Sequence, residues 1–355
     1  MPGFRRFGLV CALLMAATAV ALVPGGAAAA SGAVPKDGFY KDKSIKLVLS
    51  TGVAGGYAAY GRLMTQFIGN YLPGHPTSFV VQSMPGGGGL RATNWIYAQA
   101  PKDGTTWGMV HSTAPLAPLY GAKAAQFDPR NFIWIGSMNS AKGLCVSWHD
   151  SPIQTWSDMK SKQFIVGSSG AGSQMEVLPT MMNKFLGTKI KIVAGYKDGT
   201  DIFLAMERGE VQGRCGGLLT VMQLTHPDWL PEHKVVVPVQ FAAERNPMFP
   251  DAPTVLELTD DPLARQVFEL AFATQDMDRP VLAPPGVLAA RAAELRAAFD
   301  ATMADSAFQE EAKRQNLDIN HVSGEAVAAI IAKAYAMPPN VIQAARELMG
   351  SGAGE

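Results

Sequence analysis

The chain reads as an α/β protein built in two lobes, each a mainly parallel sheet flanked by helices, with a cleft between them. Three observations carry that expectation. The chain has 355 residues, 48% of them apolar, which exceeds one domain of roughly 100–200 residues and suffices for two cores with a groove where they meet. Short apolar runs alternate with helically spaced apolar side chains, the pattern of α/β layers. After an irregular stretch at Ala114–Arg130 the alternation starts again.

Composition removes other classes. Lys and Arg total 30 against 30 Asp and Glu, so the basic excess of a nucleic-acid binder is missing, and the apolar content is too high for a disordered chain. No nucleic-acid partner is expected. The 36 glycines and 24 prolines imply many loops.

The N-terminus has the layout of a secretory signal. Arg5 and Arg6 precede the apolar stretch Phe7–Val23, and Ala27–Ala30 before Ser31 offers small residues for cleavage. The apolar stretch is short for a membrane anchor, which needs about 18 residues or more. Residues 1–30 are therefore expected to be removed and the mature protein to be exported. Loss of Arg5, Arg6 and Cys11 leaves 28 basic side chains against 30 acidic, and only Cys145 and Cys215. The apolar runs around those two cysteines favour two free, buried thiols over one bridge, although the oxidising compartment permits pairing.

Taken in order, Ile45–Ser50 reads as a strand and Thr51–Gly56 as a glycine-bearing turn. Tyr60, Leu63, Met64, Phe67, Ile68 and Tyr71 then recur at helical spacing. A second strand, Phe79–Gln82, turns through Pro85–Gly89 into a helix over Leu90–Ala98, and a third, Thr106–His111, follows the Asp103-Gly104 turn. The second set comprises strands at Phe132–Ser137, Leu144–Trp148, Phe164–Gly167, Ile190–Val193, Val211–Cys215 and Val235–Phe241, with a helix running through Phe185. From Gly286 onward the chain is alanine-rich and reads as helical, with no sheet of its own, packed back onto one of the two units. Lobe one is expected to comprise Val34–Gly143 and Asp278–Glu355, and lobe two Leu144–Met277.

Two glycine-rich strand-to-helix turns stand out, Thr51–Gly56 and Ser168–Ser173. Each offers unpaired backbone N–H groups at the positive end of a helix with no side chain in the way, which suits a carboxylate or phosphate. One such turn in each lobe raises the weight of a binding role, because ligands of open α/β sheets lie beyond the carboxyl ends of the strands. The same turns fail as nucleotide motifs: Gly86–Arg91 and Gly170–Met175 lack the third glycine of the dinucleotide fingerprint, and no P-loop occurs. Gly167-Ser168-Ser169-Gly170-Ala171 misses the nucleophile elbow, so Ser168 reads as a hydrogen-bonding or capping residue. The six histidines show no metal-ligand spacing. No catalytic set, metal or cofactor is expected. His111, at the end of the third strand, is a candidate ligand contact. Tyr57 and Tyr196 are candidate cleft-lining aromatics, whereas Tyr60 fits the buried stripe.

Several segments in this order resemble the periplasmic solute receptors of tripartite tricarboxylate transporters, the Bug family. They are Ile45–Tyr57, Pro85–Gly89, Ala100–Thr106, Phe164–Ser173, Gly195–Gly199, Gly209–Val211, Pro250–Val255 and Ala283–Val287. The resemblance implies a two-lobed periplasmic binding protein fold, type II-like, that captures a small carboxylate in the cleft and delivers it to a tripartite tricarboxylate-type membrane permease. It also implies that the two glycine turns grip a ligand carboxylate from opposite lobes through backbone N–H groups and water. Carried onto this chain, those positions are Gly52, Val53, Ala54, Gly55, Gly56, Tyr57 and Ala58 in the first turn. In the second they are Ser168, Ser169, Gly170, Ala171, Gly172 and Ser173. Many members carry an acidic residue after the first glycine run where this chain has Tyr57-Ala58-Ala59, a departure that points toward an aromatic or less polar solute. The alternatives are an exported enzyme acting on a carboxylate or ester, and a receptor for another transporter class.

Overall fold

The computed structural model of the chain describes residues 38–170 and 173–350. The expected signal segment, residues 1–30, and two of the expected site residues, Ala171 and Gly172, lie outside the described residues.

The first half of the chain alternates strand and helix as the apolar spacing predicts. Strand β1 (Ser44–Leu49) leads to α1 (Gly56–Phe67), then β2 (Ser78–Ser83), α2 (Leu90–Gln99), β3 (Thr106–Met109) and β4 (Ile133–Ser137). The second series is β5 (Gly143–Trp148), α3 (Trp156–Ser161), β6 (Phe164–Ser168), α4 (Gln174–Leu186), β7 (Ile190–Ala194), α5 (Gly199–Glu207), β8 (Gly213–Gly216), α6 (Leu219–Thr225) and β9 (Val235–Phe241). The chain ends with α7 (Pro262–Asp276), β10 (Pro280–Ala283), α8 (Ala289–Ala304), α9 (Ser306–Arg314), β11 (Val322–Ser323), α10 (Gly324–Tyr335) and α11 (Pro339–Gly350).

Two sheets result, one ordered β11-β4-β10-β3-β1-β2 and the other β7-β6-β8-β5-β9. Both are mixed in pairing. In the first, β1 pairs parallel with β2 and β3, while β10 runs antiparallel to β3 and β4, and β11 antiparallel to β4. In the second, β6 pairs parallel with β7 and β8, and β5 opposes β8 and β9. β1 to β4 therefore share one direction, as do β6 to β9. Apart from the short β11, the opposed strands are β10 and β5, by which the chain enters each sheet from the other. β5 follows directly from β4 and β10 follows the end of α7, so neither strand comes from a crossover within its own sheet, the connection that makes neighbours parallel.

The two passages lie side by side. Met138 N–H donates to Arg279 O at 3.1 Å, Asp278 N–H to Asn139 O at 3.0 Å and Ala141 N–H to Gln275 O at 3.0 Å. They form a short hydrogen-bonded ribbon joining the sheets.

Packing follows the sequence pattern. β3 is buried along its whole length, whereas β2, at the sheet edge, alternates exposed and half-buried residues as an edge strand does. α1 buries Ala58, Tyr60, Leu63 and Met64, and Trp107, Trp134 and Trp229 are among the largest fully buried side chains. The C-terminal region departs from expectation in two ways. β11 adds a short strand to the first sheet. And α11, instead of joining α8 and α10 against β4, packs on α7 and α4, so the C-terminal helices touch elements of both sheets.

Cys145 and Cys215 form a disulfide, which overturns the expectation of free thiols. They are cross-strand partners in the antiparallel β5–β8 register, with Cα atoms 4.0 Å apart. Apolar neighbours signal burial but say nothing of which strands are adjacent. Among the described residues no helix is long and apolar enough to cross a membrane.

Candidate functional site

The turn after β1 ends at Gly55, whose φ of 82° suits glycine, and it delivers Tyr57 in the first turn of α1. The Tyr57 hydroxyl donates to Asp278 O at 3.0 Å and accepts from Ser112 N–H at 3.1 Å. Its ring meets the His111 ring edge-on at 4.9 Å between centroids. Burial raises the Tyr57 pKa against the pull of Arg279, so the phenol stays neutral. Its hydroxyl is spent on the framework, leaving the ring as a wall.

Arg279 and Asp278 come from the ribbon between the sheets. Both are almost fully buried, and Arg279 Nη1 lies 2.5 Å from Asp278 Oδ2 and 2.9 Å from Asp278 O. The guanidinium sits 4.5 Å from the Tyr57 ring centroid and 5.1 Å from that of Tyr60, within reach of cation–π attraction. Burial pulls the Arg279 pKa down, and the Asp278 carboxylate, with the two tyrosines, more than restores it. Arg279 is a charged, matched group.

The second sheet supplies the facing wall. β8 carries Arg214, 5% exposed, with its guanidinium 4.8 Å from the Phe203 ring centroid and Nη1 3.5 Å from Gly199 O. Burial lowers its pKa to about 10, with Asp198 opposing that and Arg279 adding to it, so it is a cation at neutral pH. Asp198 caps α5, its Oδ1 accepting from Thr200 N–H at 2.8 Å and Asp201 N–H at 3.3 Å. α4 places Gln174, whose Nε2 donates to Ser112 Oγ at 3.2 Å and to Thr274 Oγ1 at 3.1 Å while Oε1 accepts from Gly217 N–H at 2.9 Å.

These walls enclose a cavity of about 80 Å³. Of the residues expected to bind ligand, Ala54, Gly55, Gly56 and Tyr57 line it from the first turn, Ser169 and Ser173 from the second, with His111 between. His111 lies two residues beyond the end of β3; burial and then Arg279 push its pKa down to about 4, so it is neutral. Gly52, Val53, Ala58, Ser168 and Gly170 are not among the lining residues. Val53 is 68% exposed and Ala58 is fully buried in the core. Ser168 Oγ accepts from Gly170 N–H at 3.0 Å and lies 3.3 Å from Ser173 Oγ, so it holds the turn together. Tyr196 faces a separate shallow depression with Gly195, Asp201, Leu204 and Arg208.

Sequence reasoning missed Arg214, Asp278, Arg279, Gln174 and Ser112. A signal existed for three of them. Arg214 is a lone charge in the glycine-flanked run Gly213–Gly217, and Asp278-Arg279 directly precedes the apolar strand Pro280–Ala283. A charge at the edge of a buried strand is paired or functional. Among the described residues no group of three or more His, Cys, Asp or Glu side chains is placed to hold a metal ion.

The architecture recurs in solved structures. MatC from Rhodopseudomonas palustris with bound malate is 19% identical, with a TM-score of 0.65 over 86% of this chain and 99% of its own. The periplasmic binding protein BugD is 18% identical, with a TM-score of 0.66 over 87% and 98%. A second R. palustris protein, with adipate, is 16% identical, with a TM-score of 0.62 over 87% and 97%. At such identities the likeness establishes the two-lobed binding-protein fold. No curated protein matches the chain significantly. The sequence model described as the tripartite tricarboxylate transporter family receptor matches residues 75–346, which include both arginines, the disulfide and the second glycine turn, and the chain belongs to that receptor family.

Proposed function

We propose that this protein is an extracytoplasmic receptor that captures a small carboxylate between two closing lobes and delivers it to a tripartite tricarboxylate-type membrane permease. The lobes are residues 34–143 with 278–355, and residues 144–277, each containing one of the two sheets. They hinge where the chain passes between the sheets, near Gly143–Leu144 and Met277–Asp278. Residues 1–30 act as the export signal, which places the mature protein in the periplasm. It binds its solute and does not transform it.

The observation that carries this reading is the cavity between the sheets, lined by two buried arginines against a single buried carboxylate. Burying cations costs free energy unless an anion meets them, and a carboxylate solute does so when the lobes close on it. The malate and adipate held by the two R. palustris proteins of like fold fit the same class. A solute that binds only the folded cleft stabilises it by about 2.7 kcal/mol at a hundredfold excess over its Kd. A thermal-shift screen of aliphatic and aromatic carboxylates is therefore expected to raise the melting temperature with at least one of them, and the bound solute to be recovered chemically unchanged. Shifts by nucleotides or sugars alone, or turnover of the solute, would sink the proposal.

A further inference from the structure

We propose that Arg214 is the seat of a single solute carboxylate and that it makes this receptor selective for monocarboxylates over dicarboxylates. The proposal rests on the carboxylate reading above and names the class within it.

The two buried arginines are not equivalent. Arg279 is matched: Asp278 lies against Nη1, and the rings of Tyr57 and Tyr60 flank the guanidinium. Its Nε lacks a hydrogen-bond partner among the described residues, but its charge is balanced. Arg214 is equally buried, yet it forms no ion pair among the described residues. Its one polar contact there is the long one to the Gly199 carbonyl, and its Nε is also without a partner. A guanidinium so placed presents a planar set of N–H donors suited to one carboxylate.

Two further polar atoms are available in the same cavity. Ser169 Oγ and Thr200 Oγ1 belong to residues lining it, and both are buried without a hydrogen-bond partner among the described residues. They can donate to a carboxylate seated on Arg214 or bind a polar substituent of the solute.

Charge then sets the class. Arg214 and Arg279 against Asp278 leave one net positive charge among the buried lining groups, with His111 neutral. At the rim, exposed Lys197 and half-buried Asp198 offset each other, and the Asp198 carboxylate is occupied in capping α5. The rest of the described wall carries no charge: Tyr57, Met175 and Val221 are its larger apolar side chains, and Thr51, Ser112 and Gln174 are neutral polar ones. One carboxylate neutralises this site. A second would be desolvated against Asp278 and neutral groups with no cation left for it, which is unfavourable.

The test is calorimetric titration at neutral pH with skeleton-matched pairs: butyrate and succinate, hexanoate and adipate, benzoate and phthalate. In the wild-type protein the monocarboxylate of at least one pair is expected to bind more tightly than its dicarboxylate partner. Arg214→Gln is expected to weaken it on the order of a hundredfold, with Arg214→Lys falling between. Equal or tighter binding of the dicarboxylates, or unchanged affinity in a folded Arg214→Gln protein, overturns the inference and leaves the carboxylate reading intact. If Arg214→Gln does not fold, the wild-type ranking decides alone. Failure of every carboxylate, while an uncharged or cationic solute binds, overturns both.

Discussion

Gln174 of α4 donates a 3.2 Å hydrogen bond to Ser112 Oγ, joining a helix that follows the second sheet to the loop that leaves the first. The same amide holds Gly217 N–H and Thr274 Oγ1. One side chain thus ties α4, α7 and the segment after β8 to the loop after β3, and Thr220 Oγ1 adds a second link by donating to Asp318 Oδ2 at 2.9 Å.

Removing the Ser112 hydroxyl deletes the bond between the two sides together with that hydroxyl's contact to Tyr57. Ser112→Ala is expected to weaken solute affinity about fivefold, the equivalent of roughly 1 kcal/mol for a neutral hydrogen bond, with little change in the melting temperature of the free protein. Gln174→Ala is expected to do more, because it also orphans Gly217 N–H, at a cost of about 1–3 kcal/mol. Calorimetry on both variants and the double mutant measures the coupling. Full affinity in Ser112→Ala would show that the bond does not contribute to the closed arrangement.

Asp278 and Arg279 illustrate the asymmetry of buried ion pairs. Asp278→Ala leaves Arg279 buried with its counter-charge gone and is expected to destabilise the fold by about 3–5 kcal/mol, seen in denaturant unfolding. Asp278→Asn, which keeps the shape and removes the charge, is expected to raise the affinity for dicarboxylates relative to monocarboxylates, since the cavity gains a net positive charge. A loss of stability under about 1 kcal/mol in Asp278→Ala would contradict the pairing.

His111 couples the cavity to pH. Its imidazole titrates near 6.5 when unfolded and at about 4 in the folded protein, so between those values the unfolded chain binds the extra proton. The contribution is complete above about pH 6.5 and is lost as pH falls toward about 4, up to roughly 3 kcal/mol in all. Thermal melts at neutral and mildly acid pH are expected to show a smaller acid loss in His111→Gln than in the wild type. An identical loss in both would assign the acid sensitivity elsewhere.

The disulfide closes a long loop, Cys145 and Cys215 being separated by 70 positions in the chain. Cys145→Ala/Cys215→Ala is expected to lower stability by about 2–4 kcal/mol through the larger entropy of its unfolded chain. Thiol titration of the native mature protein checks the bond directly; two reactive thiols after denaturation without reductant would refute it.

Much of the fold was legible because its signals are local. β1, β6 and β9 show short apolar runs and the helices α1, α2 and α4 period-3.6 apolar spacing, and glycine turns such as Thr51–Gly56 mark a backbone that a side chain would strain. α7 and β10 were not picked out, and β11 is too short for any period to show. That α11 packs on α7 and α4 rather than on the first sheet depends on contacts no sequence spacing encodes.

For the site, the sequence by itself determined that two glycine-bearing turns would lead into helices α1 and α4, and that Tyr57 and His111 would stand near them. Each of these follows from a few consecutive residues. Only the tertiary structure decided what the cavity is made of. Arg214 and Arg279 are 65 positions apart in the chain, and they share one cavity because β8 and the ribbon before β10 meet there. Burial then gives them their chemistry, since a guanidinium in water is screened and an unmatched one removed from water calls for an anion. The pairing of Cys145 with Cys215 was settled the same way, by strand register, which places residues opposite one another through hydrogen bonds between distant segments.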